Sequence, residues 1–140
     1  MKQVVVAVIE RKDRRLLIGQ RRREDTSPLK WEFPGGKVRN GEALEAALAR
    51  ELREELEATL VKSCKIAEVR HHYANFPEEL QIHFFAAAIA EAEVVPHTFE
   101  QVQWVLPKEL GSFDFLTADR QLIAELATGK IKPGEILERE

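Results

Sequence analysis

Apolar residues fall along this chain in two rhythms. Val4-Val5-Val6-Ala7-Val8-Ile9 is an unbroken apolar, β-branched run, the pattern of a strand buried on both faces, and it predicts a strand over 3–10. The polar Arg11-Lys12-Asp13-Arg14 predicts a turn, and Leu16-Leu17-Ile18 a second strand that closes a hairpin on the first. From Leu44 the rhythm changes: Leu44, Leu48, Leu52 and Leu56 recur every four residues, which predicts a helix. Extended segments are predicted again over 59–73, over 80–90 with Ile82, Phe84 and Phe85 in the core, and over 99–106 with Trp104. Thr117 reads as the cap of a last helix that ends before Gly129 and buries Leu122, Ile123 and Leu126. The tail from Lys130 to Glu140 is charged, contains Pro133-Gly134 and is expected to fray. One early helix and one late helix among these strands predict an α/β fold of mixed α+β character, with a mixed sheet between helices.

Composition narrows the function classes. A chain of 140 residues is expected to form one domain over 1–140 with a sizeable core. A formal net charge of −3 gives no reason to expect a nucleic-acid polymer as partner. The lone cysteine, Cys64, excludes an internal disulfide and fits a reducing compartment. The N-terminal apolar run is too short for a signal core, and no stretch is long enough to span a membrane. The expectation is a cytoplasmic protein with no membrane partner, a monomer or a homodimer.

Candidate chemistry concentrates on the first helix. At about 100° per residue, Glu51, Glu54 and Glu55 fall within one arc of roughly 100°, beside the leucine stripe. Like charges at this spacing repel, so a cation is expected over them, and carboxylate oxygens suit Mg²⁺ or Mn²⁺. The alternative is a solvated acidic face balanced by Arg50 and Arg53. Just upstream, Pro34 stiffens the approach to a Gly35-Gly36 turn whose backbone can come close to a ligand. Trp31 and Phe33 are either core residues or stacking surfaces for a base. Arg21, in a loop rich in arginine, is read as a ligand contact. His71 and His72 lack a third ligand at suitable spacing and are taken as surface or rim residues.

The spacing is specific. After Gly36, five residues precede Glu42, and seven more precede Arg50-Glu51-Leu52-Arg53-Glu54-Glu55. This resembles the box of the Nudix hydrolases, departing from it at Glu57, where the family has glycine, and weakly at Ala58. With Glu32-Phe33-Pro34-Gly35-Gly36-Lys37 upstream and Leu116-Thr117-Ala118-Asp119 downstream, the chain looks most like the MutT branch. The resemblance implies an α/β/α sandwich with a mixed central sheet. It implies Mg²⁺-dependent hydrolysis of nucleoside triphosphates, oxidised or modified ones such as 8-oxo-dGTP or modified dCTP included, to a monophosphate and pyrophosphate. It further implies Glu51, Glu54, Glu55 and the Gly35 carbonyl as metal ligands, either Glu51 or Glu55 as base, and Arg50 and Glu42 as supports. Arg21, Glu32, Phe33, Pro34 and Gly35 would contact the nucleotide.

Asp119 stands where MutT-like enzymes read the base edge, and an ionised aspartate there suits the amino group of cytosine or guanine; alternatively it is a first-turn acid favoured by the helix dipole. Glu57 in place of glycine is expected to let the helix run on. Many relatives carry a further metal-binding glutamate six residues before the late tryptophan; here that place is Thr98, with His97 and Glu100 as candidate replacements. Two other functions compete: hydrolysis of another nucleoside diphosphate derivative (ADP-ribose, a nucleotide sugar, a dinucleoside polyphosphate), and non-catalytic nucleotide binding.

Overall fold

A computed structural model describes residues 1–139. In chain order it forms β1 (Lys2–Ile9), β2 (Leu16–Gln20), β3 (Trp31–Glu32), β4 (Gly35–Lys37), α1 (Leu44–Leu56), β5 (Leu60–His71), β6 (Leu80–Ile89), β7 (Gln101–Val105), α2 (Arg120–Ala127) and α3 (Pro133–Glu138). Single 3-10 segments lie at Pro107–Ser112 and Thr117–Asp119.

The apolar run of β1 makes it an inner strand. It pairs antiparallel with β4 on one side and parallel with β6 on the other, and β6 pairs antiparallel with β5. The sheet is therefore mixed, in the order β4-β1-β6-β5, and a smaller sheet runs β3-β2-β7. Val5, Ala7 and Ile9 face a core layer with Leu48, Leu52 and Leu56 of α1. Val6 and Val8 face a second layer with Leu122 and Leu126 of α2. Helices thus cover both faces, the α/β/α arrangement expected. The leucine stripe is its main fastener: Leu48, Leu52 and Leu56 are all fully buried, each worth roughly 1.5–3 kcal/mol of apolar transfer.

Four expectations need correction. The predicted hairpin of β1 with β2 is reduced to one bridge, Glu10↔Leu16, because the two strands part into different sheets. An apolar run shows that a strand is buried and leaves open which neighbour it pairs with. Thr117 does not cap the last helix through its side chain; it opens a 3-10 segment, and α2 begins only at Arg120. Part of the tail is ordered as α3, with Pro133 and Leu137 buried and the Gly134 N–H donating to Glu10 Oε1 at 3.3 Å; Glu140 lies outside the described residues. Lastly, α1 does not run on past Leu56.

Glu57 itself adopts the left-handed conformation, at φ 53° and ψ 37°. Its N–H donates to Arg53 O at 3.0 Å, and the Ala58 N–H to Leu52 O at 3.2 Å. That conformation costs a non-glycine residue about 1–2 kcal/mol, yet burial of Ala58 and a hydrogen-bonding contact between Glu57 and the His97 ring hold it. Among the described residues no helix is long and apolar enough to cross a membrane.

Candidate active site

Gly35 and Gly36 were expected in a turn; they lie instead in the short strand β4, with neither at positive φ. Close approach explains the glycines. A Cβ on Gly35 would stand 2.1 Å from the Val5 carbonyl oxygen, and one on Gly36 would stand 2.3 Å from Glu51 Cδ. β4 is therefore wedged between β1 and the acidic edge of α1. The Gly35 N–H donates to Glu55 Oε1 at 3.0 Å and ties that wedge to the helix.

Arg50 organises this edge. It grips Glu42 with Nε to Oε2 and Nη2 to Oε1, both at 2.9 Å. It also donates to Glu51 Oε1 at 2.8 Å, to Glu54 Oε2 at 3.4 Å and to the Lys37 carbonyl at 3.0 Å. Glu42 accepts in addition from the Arg39 N–H at 3.0 Å, which fastens the loop ahead of α1. Hydrogen bonding from Arg50 pulls the Glu42 carboxyl down to about 2. Burial raises Glu51, against the pull of Arg50. Glu55 is pushed up to about 8, chiefly by burial and then by the charges of Glu32 and Glu51. Arg39 adds a contact to the half-exposed Glu54, at 3.6 Å.

Thr98 meets this cluster: its hydroxyl donates to Glu55 Oε2 at 3.2 Å. His97 pairs with Glu57 instead, and Glu100 is exposed. Neither candidate replacement has a described contact to Glu51, Glu54 or Glu55 through its side chain, although the His97 N–H donates to the Glu55 backbone carbonyl.

The donor set suits a divalent cation. Glu51, Glu54 and Glu55 are hard oxygen donors on one helix edge, and burial plus mutual repulsion leave Glu51 and Glu55 poorly compensated. In this arrangement the carboxylates turn toward Arg50, Arg39 and Gly35. Among the described residues no three His, Cys, Asp or Glu side chains are already gathered around an ion-sized space. The residues fit the ion in the chemistry of their donors and in sharing one helix edge.

A pocket of about 530 Å³ runs from this edge to the far side of the sheet, a size that takes small ligands. Arg21, Glu32, Phe33, Gly35, Glu55 and Asp119 all line it. Arg21 is held by Thr26, at 2.7 Å to its carbonyl and 3.0 Å to its hydroxyl, and pairs with Glu32 at 3.2 Å. Burial nevertheless pushes Glu32 up to about 7, against Arg21. Phe33 lines the pocket and rests on Phe115, centroids 5.5 Å apart. Trp31 is core, edge-on to Phe113 at 4.9 Å. Pro34 is buried, and its carbonyl accepts from the Ala7 N–H at 2.8 Å. Glu51, Glu54 and Arg50 are not among the residues that line the pocket.

Asp119 is 5% exposed, too buried for a solvated first-turn acid. Its carboxyl makes no hydrogen bond among the described residues, and burial, with the nearby Glu32, holds its pKa well above the ordinary aspartate range.

Sequence reasoning missed Lys37, Tyr73 and Phe76 in the pocket wall. The Lys37 ammonium sits over the Phe76 ring at 4.7 Å, and Tyr73 ends the extended segment after β5. Nothing in a polar turn such as Asn75-Phe76-Pro77 marks it as a pocket wall. His71 packs edge-on to Tyr73 at 4.2 Å, and His72 Nε2 bonds the Phe76 carbonyl at 2.8 Å, so both histidines serve the rim.

Residues 1–126 match the model of the NUDIX domain. A CTP pyrophosphohydrolase of Escherichia coli strain K12 is 33% identical, over 96% of this chain and 98% of its own length. An 8-oxo-dGTP diphosphatase of the same organism is 27% identical, over 89% of this chain and 95% of its own. Among solved structures, the E. coli ORF135 protein superposes with a TM-score of 0.76 at 28% identity, covering 93% of this chain and 91% of that one. A MutT protein from Methanosarcina mazei Go1 superposes at 0.80 with 22% identity, covering 94% and 96%, and speaks for the fold.

Proposed function

This chain belongs to the Nudix family of hydrolases, and we propose that it converts a nucleoside triphosphate, oxidised or modified ones included, to the monophosphate and pyrophosphate. One observation carries the reading. One pocket is lined by Gly35 and Glu55 and also by the Arg21–Glu32 pair and buried Asp119, so it brings carboxylate chemistry for phosphates and polar groups for a base into a single cavity. A relative named for CTP and others named for 8-oxo-dGTP support cytosine or guanine as the base.

Glu51, Glu54, Glu55 and the Gly35 carbonyl would hold Mg²⁺, or Mn²⁺ in its place. When bound, such an ion draws charge from the phosphate oxygens and lowers the pKa of water. Arg50 holds Glu51 and Glu54 in place while Glu42 holds Arg50. Of the three helix glutamates Glu55 lines the pocket, which supports Glu55 over Glu51 as the acceptor of the attacking water's proton. Water oxygen bonds to phosphorus, the phosphoanhydride bond breaks, and pyrophosphate leaves. Arg21 and Glu32 orient the nucleotide beside Phe33. The cytoplasm, where triphosphates are made and used, is the compartment this reading implies.

The test is to measure pyrophosphate and orthophosphate release with and without Mg²⁺ from CTP, dGTP, 8-oxo-dGTP, 5-methyl-dCTP and ATP, with ADP-ribose and a nucleotide sugar alongside. Mg²⁺-dependent pyrophosphate release from a cytosine or guanine triphosphate is expected. Turnover confined to ADP-ribose or the sugar, or none at all, would refute the reading.

A further inference from the structure

Tyr73 sits on the wall of the pocket beside the chain segment that carries Asp119, and its hydroxyl is half used. The Ala118 N–H donates to the phenol oxygen at 3.2 Å, which anchors the residue immediately before Asp119. A phenol has one proton to give, and among the described residues no acceptor takes it. The Asp119 carboxyl is likewise without a hydrogen-bond partner among them, although it is 5% exposed. Both groups line the same pocket, and they are near enough for the charge of Asp119 to act on the Tyr73 hydroxyl. The tyrosine ring is itself fixed from behind by the edge contact with His71, centroids 4.2 Å apart. Buried polar groups left without partners are costly in a folded protein. An unspent phenol proton and an unpartnered carboxyl lining one cavity are complementary to a ligand edge.

We infer that Tyr73 is a base-selecting residue: its hydroxyl donates to a ring carbonyl of the bound base while Asp119 engages the neighbouring ring N–H or amino group. This rests on the nucleotide reading of the pocket and goes beyond it by naming the edge. Guanine presents a carbonyl oxygen beside a ring N–H, and cytosine has a carbonyl and an amino group. Adenine has no ring carbonyl, so the Tyr73 proton finds no oxygen on its edge. Guanine and cytosine are favoured over adenine for that reason.

The test uses binding, so that it stands apart from turnover. Affinities of the intact protein for GMP, CMP and AMP are measured by calorimetry, for the wild type and for Tyr73→Phe, which keeps the ring and removes the hydroxyl. The wild type is expected to prefer GMP or CMP to AMP by about tenfold. Tyr73→Phe is expected to weaken the preferred ligand by about three- to tenfold, the range of one hydrogen bond, and to leave AMP within about twofold.

A ligand-side probe covers the case in which the variant folds poorly: 2-aminopurine riboside monophosphate, guanine's analogue without the carbonyl, should bind the wild type no better than AMP. Equal affinity of the wild type for the three nucleotides, or none for any, overturns the inference. So does a uniform loss in Tyr73→Phe, or binding of the 2-aminopurine nucleotide as tight as GMP. Failure of the hydrolase reading shows separately, as absence of pyrophosphate release with the base ranking of the monophosphates intact.

Discussion

Glu42, in the fork of Arg50, and Asp119, in the pocket wall, are two carboxyls of the candidate site, and their surroundings drive them in opposite directions. Glu42 lies in the fork of Arg50 and is drawn down to about 2. Asp119 makes no hydrogen bond or ion pair among the described residues and is pushed well above the ordinary range, chiefly by burial. At the acidic end, each of Glu42, Glu51, Glu54 and Glu55 has an arginine, a backbone N–H or a hydroxyl directed at it. At the other end the unspent groups, the Asp119 carboxyl and the Tyr73 proton, face the cavity. An end whose groups are each held in place by a protein donor is suited to one fixed chemistry. An end whose groups are unsatisfied is suited to choosing between ligands, because a wrong ligand leaves them unpaired.

The largest break in this contrast comes from Glu55→Gln or Glu54→Gln. Either is expected to lower kcat by roughly 10²–10⁴-fold, with a thermal midpoint close to that of the wild type; near-wild-type turnover with Mg²⁺ present would remove these residues from the chemistry. Next is Arg50→Lys, which keeps the charge and loses the fork to Glu42 as well as the contacts to Glu51 and Glu54. Outer partners of metal ligands are worth roughly 10–100-fold in metal affinity, so the Mg²⁺ concentration for half-maximal rate should rise by that factor, and an unchanged value would show that Arg50 does not set the carboxylates.

A third experiment sharpens the contrast through pH, following urea denaturation of the metal-free protein between about pH 3 and pH 8. Asp119 holds its proton in the folded state above the unfolded value near 3.8. Its contribution to stability is therefore full below that value and is lost as pH rises through the folded pKa. Asp119→Asn should remove this loss and gain on the wild type as pH rises. Glu42 has the opposite sign: its contribution is full above the unfolded value near 4.5 and disappears as pH falls toward about 2. Glu42→Gln should thus lose most against the wild type near neutrality and least in acid. Parallel pH profiles for the two variants would mean that the ends are not electrostatically distinct.

The smallest effect is expected at the helix end. Glu57→Gly relieves the left-handed residue but removes the pair with His97. A net stabilisation of about 0.5–1 kcal/mol is expected by chemical denaturation, and a loss would show that the exposed pair outweighs the strain.

The contrast also explains what could be read from the chain. Glu42, Arg50, Glu51, Glu54 and Glu55 share one loop and one helix, so a fixed spacing carries their arrangement, and the leucine stripe orients them. β1 was legible for a similar reason, since every residue of its apolar run needs cover. The proposed base end is assembled from Arg21, Phe33, Tyr73 and Asp119, which lie far apart in sequence and meet only in the folded chain. Asp119 was legible through resemblance, its burial was not. Tyr73 carried no local signal at all. The hairpin, the Thr117 cap, the Gly-Gly turn and the run-on after Glu57 failed because tertiary packing overrode a sound local preference. At Gly35 and Gly36 the space left by Val5 and Glu51 decided the residue; at Glu57 the buried Ala58 and His97 decided the conformation.

The most direct measurement is kcat/KM on CTP, GTP and ATP as a function of Mg²⁺ for the wild type, Glu54→Gln and Asp119→Asn. If the two ends divide the work, Glu54→Gln depresses all three substrates by a common factor and raises the Mg²⁺ requirement. Asp119→Asn then reorders the substrates and leaves the Mg²⁺ requirement where it was. A uniform loss in Asp119→Asn, or a reordering of bases in Glu54→Gln, would contradict that division.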